Sequence, residues 1–191
     1  GCMLISCQEP IVKEKEALTP ISFEKVTLQD QFWLPRLKTQ KQTLVPFALE
    51  KTEPAVENLR RVGEYLSTGK GKLENLPRYV ASDLFKVMEG AAYLLTLEKD
   101  PELEKQMDEI IDIIAEAQCP DGYLYEWFTA PFKEKNGWGA GDKPYSFVVH
   151  SHELYNMGHM YEAAVAYYRA TGKRKWLDVA EKNAQHINKV F

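Results

Sequence analysis

The sequence predicts an all-α protein built from antiparallel helical hairpins, and three observations lead to this fold class. Apolar residues recur every three or four positions in several segments that are each long enough for a helix. Short connections near residues 99–101 and 171–172 separate consecutive helical segments, as helical hairpins require. A weak internal repeat at a spacing of 73 residues supports the same architecture. Its matched pairs are Glu89 with Glu162, Ala91 with Ala164, and Leu103 with Trp176.

The composition is that of one globular domain with a substantial core. The chain has 191 residues, of which 45% are hydrophobic and 12% aromatic. A net charge of −4 gives no reason to expect nucleic acid or an anionic membrane surface as a partner. The sequence has no run of 18 apolar residues that would span a bilayer. Three cysteines do not form a disulfide framework.

Residues 1–20 are predicted to be the remnant of a secretory signal followed by a polar tether. The run Leu4-Ile5-Ser6-Cys7 resembles the lipobox of bacterial lipoproteins, in which the cysteine is acylated. This resemblance predicts Cys7 as a lipid anchor and implies a secreted, periplasmic or cell-surface protein that meets the membrane only through that anchor. The alternative is a disordered start whose cysteines have no role.

The first half of the chain is predicted to hold an extended arm followed by helices. Residues 21–28 alternate apolar and polar side chains, which favours a short strand or extended arm. A helix is predicted over residues 35–52, with a kink or break at Pro46. A second helix should cover residues 54–66, before a loop over 67–77.

Four more helices are predicted after this loop. Ser82 or Asp83 is expected to cap a helix that ends near residue 98. Pro101 should open the next helix, which ends near residue 118. The last two helices are predicted over residues 151–171 and 173–190.

A long aromatic loop over residues 119–145 connects these helices. Loops of this length are usually functional or disordered, and the aromatic content argues against disorder. Aromatic rings beside polar groups are suited to binding sugars, because the C–H faces stack while the hydroxyls need hydrogen bonds. The alternative is that the rings fill the end of the helical array. They are Tyr123, Tyr125, Trp127, Phe128, Phe132 and Trp138.

One stripe of the helix that begins at Ser151 is the main candidate for a functional site. His152, Tyr155 and His159 fall at steps of three or four and therefore share one face. Zinc binding through an HExxH motif is disfavoured, because Asn156 stands where that motif has its second histidine. Two interpretations remain from the spacing: core histidines satisfied by hydrogen bonds, or a binding site for a polar ligand.

Three segments resemble glycoside hydrolase family 127, the β-L-arabinofuranosidase group. They read ASDLFKVMEGAAYLL, DEIIDIIAEAQCPDGYL and HSHELYNMGHMYEAAVAYYRATGKRKWLDVA, and they occur in the family's order. The resemblance extends from about Phe23 to the end of the chain. It implies a partial α/α toroid of helical hairpins and the retaining hydrolysis of terminal arabinofuranosides, with an arabinose-containing oligosaccharide or polysaccharide as the partner.

The resemblance places the family's reactive groups outside this chain. The family's nucleophile is a cysteine in a zinc site of three cysteines and one glutamate, and another glutamate is the general acid. All of these would lie after Phe191, so we expect neither a catalytic residue nor a metal ligand here, and zinc only in the downstream part of the domain. Cys119 matches none of them and is interpreted as a buried, unreactive thiol.

The resemblance also assigns a substrate-binding role to the start of the residue 151–171 helix. His152 matches the family's substrate-contacting histidine, and a neutral imidazole can donate to one hydroxyl and accept from another. Glu153, Tyr155 and Trp138 complete the predicted substrate-binding set, with a structural role as the alternative for Glu153. His159 is expected to be a packed core residue.

Taken together, the sequence predicts residues 21–191 to be the N-terminal portion of a toroid glycoside hydrolase domain, inactive by itself. The alternative is a non-catalytic helical module that binds sugar or acts as a scaffold. The two differ in whether the reading frame continues past Phe191 into a cysteine-rich segment.

Overall fold

The computed structural model describes residues 18–134 and 139–191. Over these ranges the only β-pairing is an isolated bridge between Leu73 and Phe132, so the all-α prediction is confirmed. No helix in the described ranges is both long and apolar enough to cross a membrane. Cys7 and Trp138, the predicted anchor and one predicted substrate contact, lie outside the described residues. The helices are α1 (Trp33–Thr39), α2 (Val45–Thr68), α3 (Val80–Leu97), α4 (Pro101–Glu116), α5 (Glu126–Thr129), α6 (Val148–Ser151), α7 (Glu153–Thr171) and α8 (Lys175–Val190).

The long helices form two layers, as expected for part of an α/α toroid. Helices α3 and α7 form the most extensive pair, while α4 packs against both α2 and α8 in a second layer. Turns of three residues join α3 to α4 and α7 to α8, so both pairs are hairpins. Helices α3 and α7 run in the same direction, because Tyr79 lies against His152 at their N-terminal ends, and Lys86 and Tyr155, each further along its helix, are in contact.

Small side chains allow α3 and α7 to pack closely. Alanines are fully or almost fully buried on both helices, and they leave room for the larger side chains between them. Trp176 of α8 fills the space behind this contact, with its ring centre 6.3 Å from those of Phe85 and Tyr167. The buried alanines are Ala81, Ala91 and Ala92 on α3, and Ala163, Ala164 and Ala166 on α7.

In the N-terminal half, one alternative and one helix boundary predicted from the sequence are not observed. Of the two alternatives for residues 21–28, the strand does not form; the segment is an arm that contains the 3-10 turn Phe23–Lys25, and the Phe23 ring packs edge-on against Tyr93 at 5.4 Å. No helix begins at Pro54, because α2 runs through it. Packing of the apolar face of α2 outweighs the one backbone hydrogen bond that proline cannot make.

The predicted disturbance at Pro46 is present as a change of helix type. A π-helical stretch, Gln40–Leu44, connects α1 to α2 immediately before this proline. Pro46 is the second residue of α2 and has no N–H, so it cannot donate the backbone hydrogen bond of a continuous helix, and the helix type changes directly before α2.

Two predicted helix starts are also displaced. Helix α3 begins at Val80, and Ser82 lies inside its first turn, where its hydroxyl donates to the Tyr79 carbonyl at 2.7 Å instead of capping the helix. Helix α7 begins at Glu153 and not at Ser151, because His152 adopts a left-handed conformation between α6 and α7.

The loop after α4 is fastened to α8 through the backbone of Gly122. Its carbonyl accepts hydrogen bonds from Asn183 at 2.8 Å and from Gln118 at 3.1 Å. Gly122 has a φ of 100°, and a Cβ added there would lie 2.5 Å from the Lys182 carbonyl oxygen. Both the backbone conformation and the lack of space therefore require glycine.

Gly122→Ala should destabilise the protein more than Gly69→Ala. Both glycines have positive φ, which costs an alanine about 1–2 kcal/mol. Gly69 has no atom within 4 Å of an added Cβ, so only Gly122→Ala also forces the loop away from α8. We expect its free energy of unfolding, measured by urea denaturation, to be lower by at least about 1 kcal/mol than that of Gly69→Ala. Equal losses would contradict this account of the loop contact.

Candidate functional site

The candidate site lies where α6 and α7 meet, at the N-terminal end of the α3–α7 pair. A single residue, His152, separates the two helices, with φ 63° and ψ 11°. Non-glycine residues are uncommon in this left-handed region, although histidine is among those enriched there. The conformation ends α6 and turns the chain into α7. It is one of two such non-glycine residues in the described ranges, and the other is Tyr145.

The His152 ring has a defined hydrogen-bonding polarity. Its Nδ1 lies 2.9 Å from the His150 carbonyl oxygen, and a carbonyl can only accept, so Nδ1 carries the proton. In the neutral ring Nε2 is then an acceptor. The rings of Tyr79 and Tyr155 each lie 5.6 Å away, centre to centre, and hold the imidazole between them.

Tyr155 continues this row of rings along α7. Lys86 of α3 donates to its hydroxyl at 2.8 Å, and the His159 ring lies edge-on at 4.7 Å. The side chain remains 47% exposed, so a ligand can reach it. The prediction that His152, Tyr155 and His159 share one face is therefore confirmed.

His159 is only partly enclosed. Its side chain is 25% exposed, and its Nδ1 lies 3.2 Å from a Glu162 oxygen without adopting hydrogen-bond geometry. The residue belongs to the same polar face as Tyr155. The expectation of a packed core histidine is met only in part, because the Nδ1 atom is buried while the side chain as a whole remains partly exposed. Among the described residues, no group of three or more histidines, cysteines and acids is arranged to hold a metal ion.

Glu153 points into the protein, away from the polar face. It is 1% exposed, and its carboxylate accepts from the Tyr123 hydroxyl at 2.6 Å and from the Tyr145 N–H at 3.0 and 3.1 Å. Burial, and then the bond to Glu153, raise the pKa of Tyr123, so this phenol remains a donor. The contacts favour the structural alternative for Glu153. Because Glu153 directly follows the left-handed His152, its hydrogen bond from the left-handed Tyr145 joins these two parts of the chain.

The aromatic loop supports the site from behind. Tyr125 is buried and its hydroxyl donates to the Ser151 carbonyl, directly before His152. Tyr123 and Trp127 are also buried, and together these rings form a small second core. These three buried aromatics thus fill the end of the helical array. Sequence reasoning missed Tyr123 and Tyr125 as supports of His152, although the density of aromatic residues in this loop was a usable signal.

Two further groups in this loop are titratable: Glu126 is buried, and Cys119 is half-buried. Burial raises the pKa of Glu126, at the start of α5, to about 7, and a hydrogen bond from its own N–H opposes this shift only in part. Burial likewise raises the pKa of the Cys119 thiol, whose Sγ lies 3.9 Å from the Thr129 hydroxyl. A raised pKa keeps Cys119 in the unreactive thiol form, in agreement with the sequence interpretation.

Comparisons with known proteins relate this geometry to a family. The family model described as beta-L-arabinofuranosidase, GH127 catalytic domain, matches residues 25–191. A curated non-reducing end beta-L-arabinofuranosidase from Bifidobacterium longum subsp. longum is 44% identical over 110 residues, which are 58% of this chain and 16% of that protein.

Two solved structures are similar over most of this chain. A GH127 beta-arabinofuranosidase has 39% identity and a TM-score of 0.77, over 87% of this chain and 26% of its own. A GH127 beta-L-arabinofuranosidase from Geobacillus stearothermophilus T6 has 37% identity and a TM-score of 0.75, over 86% of this chain and 26% of its own. The chain therefore spans about a quarter of the length of these solved relatives.

Replacing Glu153 should separate its hydrogen bonds from its charge. Glu153→Ala leaves the Tyr123 hydroxyl and the Tyr145 N–H buried without an acceptor, which costs about 1–3 kcal/mol for each group. Glu153→Gln keeps one oxygen that can accept from both donors, so it should retain more than half of the stability that Glu153→Ala loses. Urea denaturation of both variants, with Tyr123→Phe as a control that removes one donor, measures this. Equal losses for the alanine and glutamine variants would show that the charge, and not the hydrogen bonding, matters.

Glu126 should make stability fall as pH rises. Below about pH 4.5 the carboxyl is protonated in both the folded and the unfolded state and has no effect. Between about 4.5 and 7 the folded state binds more protons than the unfolded state, so the free energy of unfolding decreases by on the order of 3 kcal/mol and stays lower above pH 7.

The Glu126→Gln variant should remove this loss. Its stability relative to the wild type should rise between pH 4.5 and 7, measured by urea denaturation at each pH. Glu53→Gln, at an exposed position of α2, provides the background dependence. A pH-independent difference between Glu126→Gln and the wild type would contradict the burial of an ionisable carboxyl at this position.

Proposed function

We propose that this chain, which belongs to the family of GH127 beta-L-arabinofuranosidase catalytic domains, forms the N-terminal part of a retaining glycoside hydrolase. Its substrate class is terminal arabinofuranosides of an arabinose-containing oligosaccharide or polysaccharide. The observation that carries the proposal is the family match over residues 25–191. The matched range includes a polar row, formed by His152, Tyr155 and His159 beside Lys86 of α3.

The polar row is suited to hold one sugar ring. The Nε2 of His152 can accept from a furanose hydroxyl, since Nδ1 is already occupied by the His150 carbonyl. Tyr155 adds an exposed aromatic surface and a hydroxyl next to it. In this assignment His152 and Tyr155 touch the sugar, and Glu153 supports them from inside. Trp138 stays a proposed further contact from the aromatic loop.

The reacting groups are proposed to come from the sequence that follows Phe191 in the full polypeptide. They are the nucleophilic cysteine, its zinc ligands and the general acid. Among the described residues, no group of three or more histidines, cysteines and acids could hold a metal ion, and zinc would be held by those downstream residues. The part of this chain in catalysis is to bind and orient the sugar.

We also propose a location at the cell envelope, through acylation of Cys7. A lipid anchor would keep the enzyme close to a polymeric arabinoside outside the cell. Stable attachment needs more than one acyl chain, as bacterial lipoproteins carry.

Substitution of His152 in the full-length enzyme tests the binding role. His152→Asn suits this position, because asparagine tolerates the left-handed conformation and its side chain cannot reproduce the Nε2 acceptor. Loss of one hydrogen bond costs about 0.5–1.5 kcal/mol, so kcat/KM for an aryl arabinofuranoside should fall about 3- to 10-fold or more. If the contact tightens in the transition state, kcat should fall with it.

The control is His159→Ala, two turns further along the same face. It should lower the melting temperature and leave kcat and KM per folded molecule within about 2-fold of the wild type. Loss of turnover in His159→Ala with unchanged kinetics in His152→Asn would reverse the assigned roles. A wild-type enzyme without arabinofuranosidase activity would instead favour a non-catalytic sugar-binding module.

A further inference from the structure

Lys86 uses its hydrogen-bond donors on groups beside the candidate site. Its Nζ donates to the Tyr155 hydroxyl at 2.8 Å and to the Ser82 hydroxyl at 3.3 Å, and it lies 3.6 Å from an Asp83 carboxylate oxygen. Ser82 is fully buried, and its hydroxyl donates a hydrogen bond to the Tyr79 carbonyl. The Ser82 oxygen can therefore accept a hydrogen bond from Lys86. These contacts hold the ammonium group in one place against the edge of α7.

The contact with Lys86 decides what the Tyr155 hydroxyl can do. An ammonium group has no lone pair, so in this hydrogen bond the phenol oxygen must be the acceptor. The single phenolic proton must therefore be donated to a group other than Lys86. Without the lysine the hydroxyl could rotate and either donate to a ligand or accept from it. With the lysine, donation is the favoured role.

The neighbouring imidazole has the opposite polarity. The His150 carbonyl accepts a hydrogen bond from the Nδ1–H of His152, which leaves Nε2 as an acceptor in the neutral ring. The two rings are 5.6 Å apart and edge to face. The polar row therefore presents one donor, the Tyr155 O–H, beside one acceptor, the His152 Nε2. Two hydroxyls of a sugar can match such a pair, one by accepting and the other by donating.

We propose that Lys86 is a positioning residue that fixes the Tyr155 hydroxyl as a donor to one particular hydroxyl of the arabinofuranosyl ring. This inference rests on the proposed function. It adds a determinant of specificity that acts from α3 without touching the sugar. The close packing of α3 and α7 keeps the two partners at hydrogen-bond distance.

A double-mutant cycle in the full-length enzyme tests whether Lys86 acts through Tyr155. Lys86→Met and Tyr155→Phe should each lower kcat/KM for an aryl arabinofuranoside by about 3- to 10-fold. If both act through one hydroxyl, the double variant should match Tyr155→Phe within about 2-fold. Lys86→Arg, which also donates without accepting, should recover most of the activity that Lys86→Met loses. Thermal melts of each variant show the fraction that is folded.

Substrates that lack one hydroxyl provide a readout that a structural role would not change. Against a series of monodeoxy arabinofuranosides, one substrate should be cleaved equally well by the wild type and by Lys86→Met, because its missing hydroxyl is the one that Tyr155 serves. The role of Lys86 would be overturned if the losses of kcat/KM in the two single variants multiplied in the double variant, or if Lys86→Met lost the same factor in kcat/KM on every deoxy substrate. Either result would leave the proposed function intact. A wild-type enzyme that cleaves no arabinofuranoside would overturn the proposed function and the Lys86 assignment with it.

Discussion

The close parallel packing of α3 and α7 is the constraint on which the rest of this structure depends. Alanines at the contact let the two helices approach, and Trp176 of α8 fixes their distance from behind. The shared direction sets one register, so that the residue before α3, Tyr79, meets His152, the residue before α7. The 73-residue separation of this pair is the spacing of the weak sequence repeat. The repeat therefore corresponds to neighbours in space as well as to similar hairpins.

The register alone would not place His152, because its backbone conformation is unfavourable for most residues. The surrounding loop supplies the restraint. Glu153 receives two donors from this loop, and Tyr125 holds the Ser151 carbonyl, so the chain is fixed on both sides of the histidine. Conformations that cost 1–3 kcal/mol persist only where the surroundings over-determine them. The buried rings of the loop thus support the site through the backbone.

The sequence was informative wherever one local pattern decided the outcome. Helical periodicity and the hairpin turns predicted the fold class, and steps of three and four put His152 and Tyr155 on one face. The errors arose where packing outweighed a local signal: α2 continues through Pro54, and Ser82 bonds inside α3 instead of capping it. The direction in which Glu153 points could not be read from its place in the sequence, because the donors that draw it inward come from residues 8 and 30 positions away.

The polarity of the site was equally hidden from the sequence, for a more general reason. Histidine and tyrosine can each donate or accept, so naming them predicts a polar site without predicting what it prefers to bind. Their roles are set by groups that have only one option: a carbonyl that can only accept and an ammonium that can only donate. His150 contributes the first from its backbone, where its side-chain identity is irrelevant, and Lys86 contributes the second from another helix. The hydrogen-bond polarity of these rings therefore depends on neighbours that a motif centred on His152 does not contain.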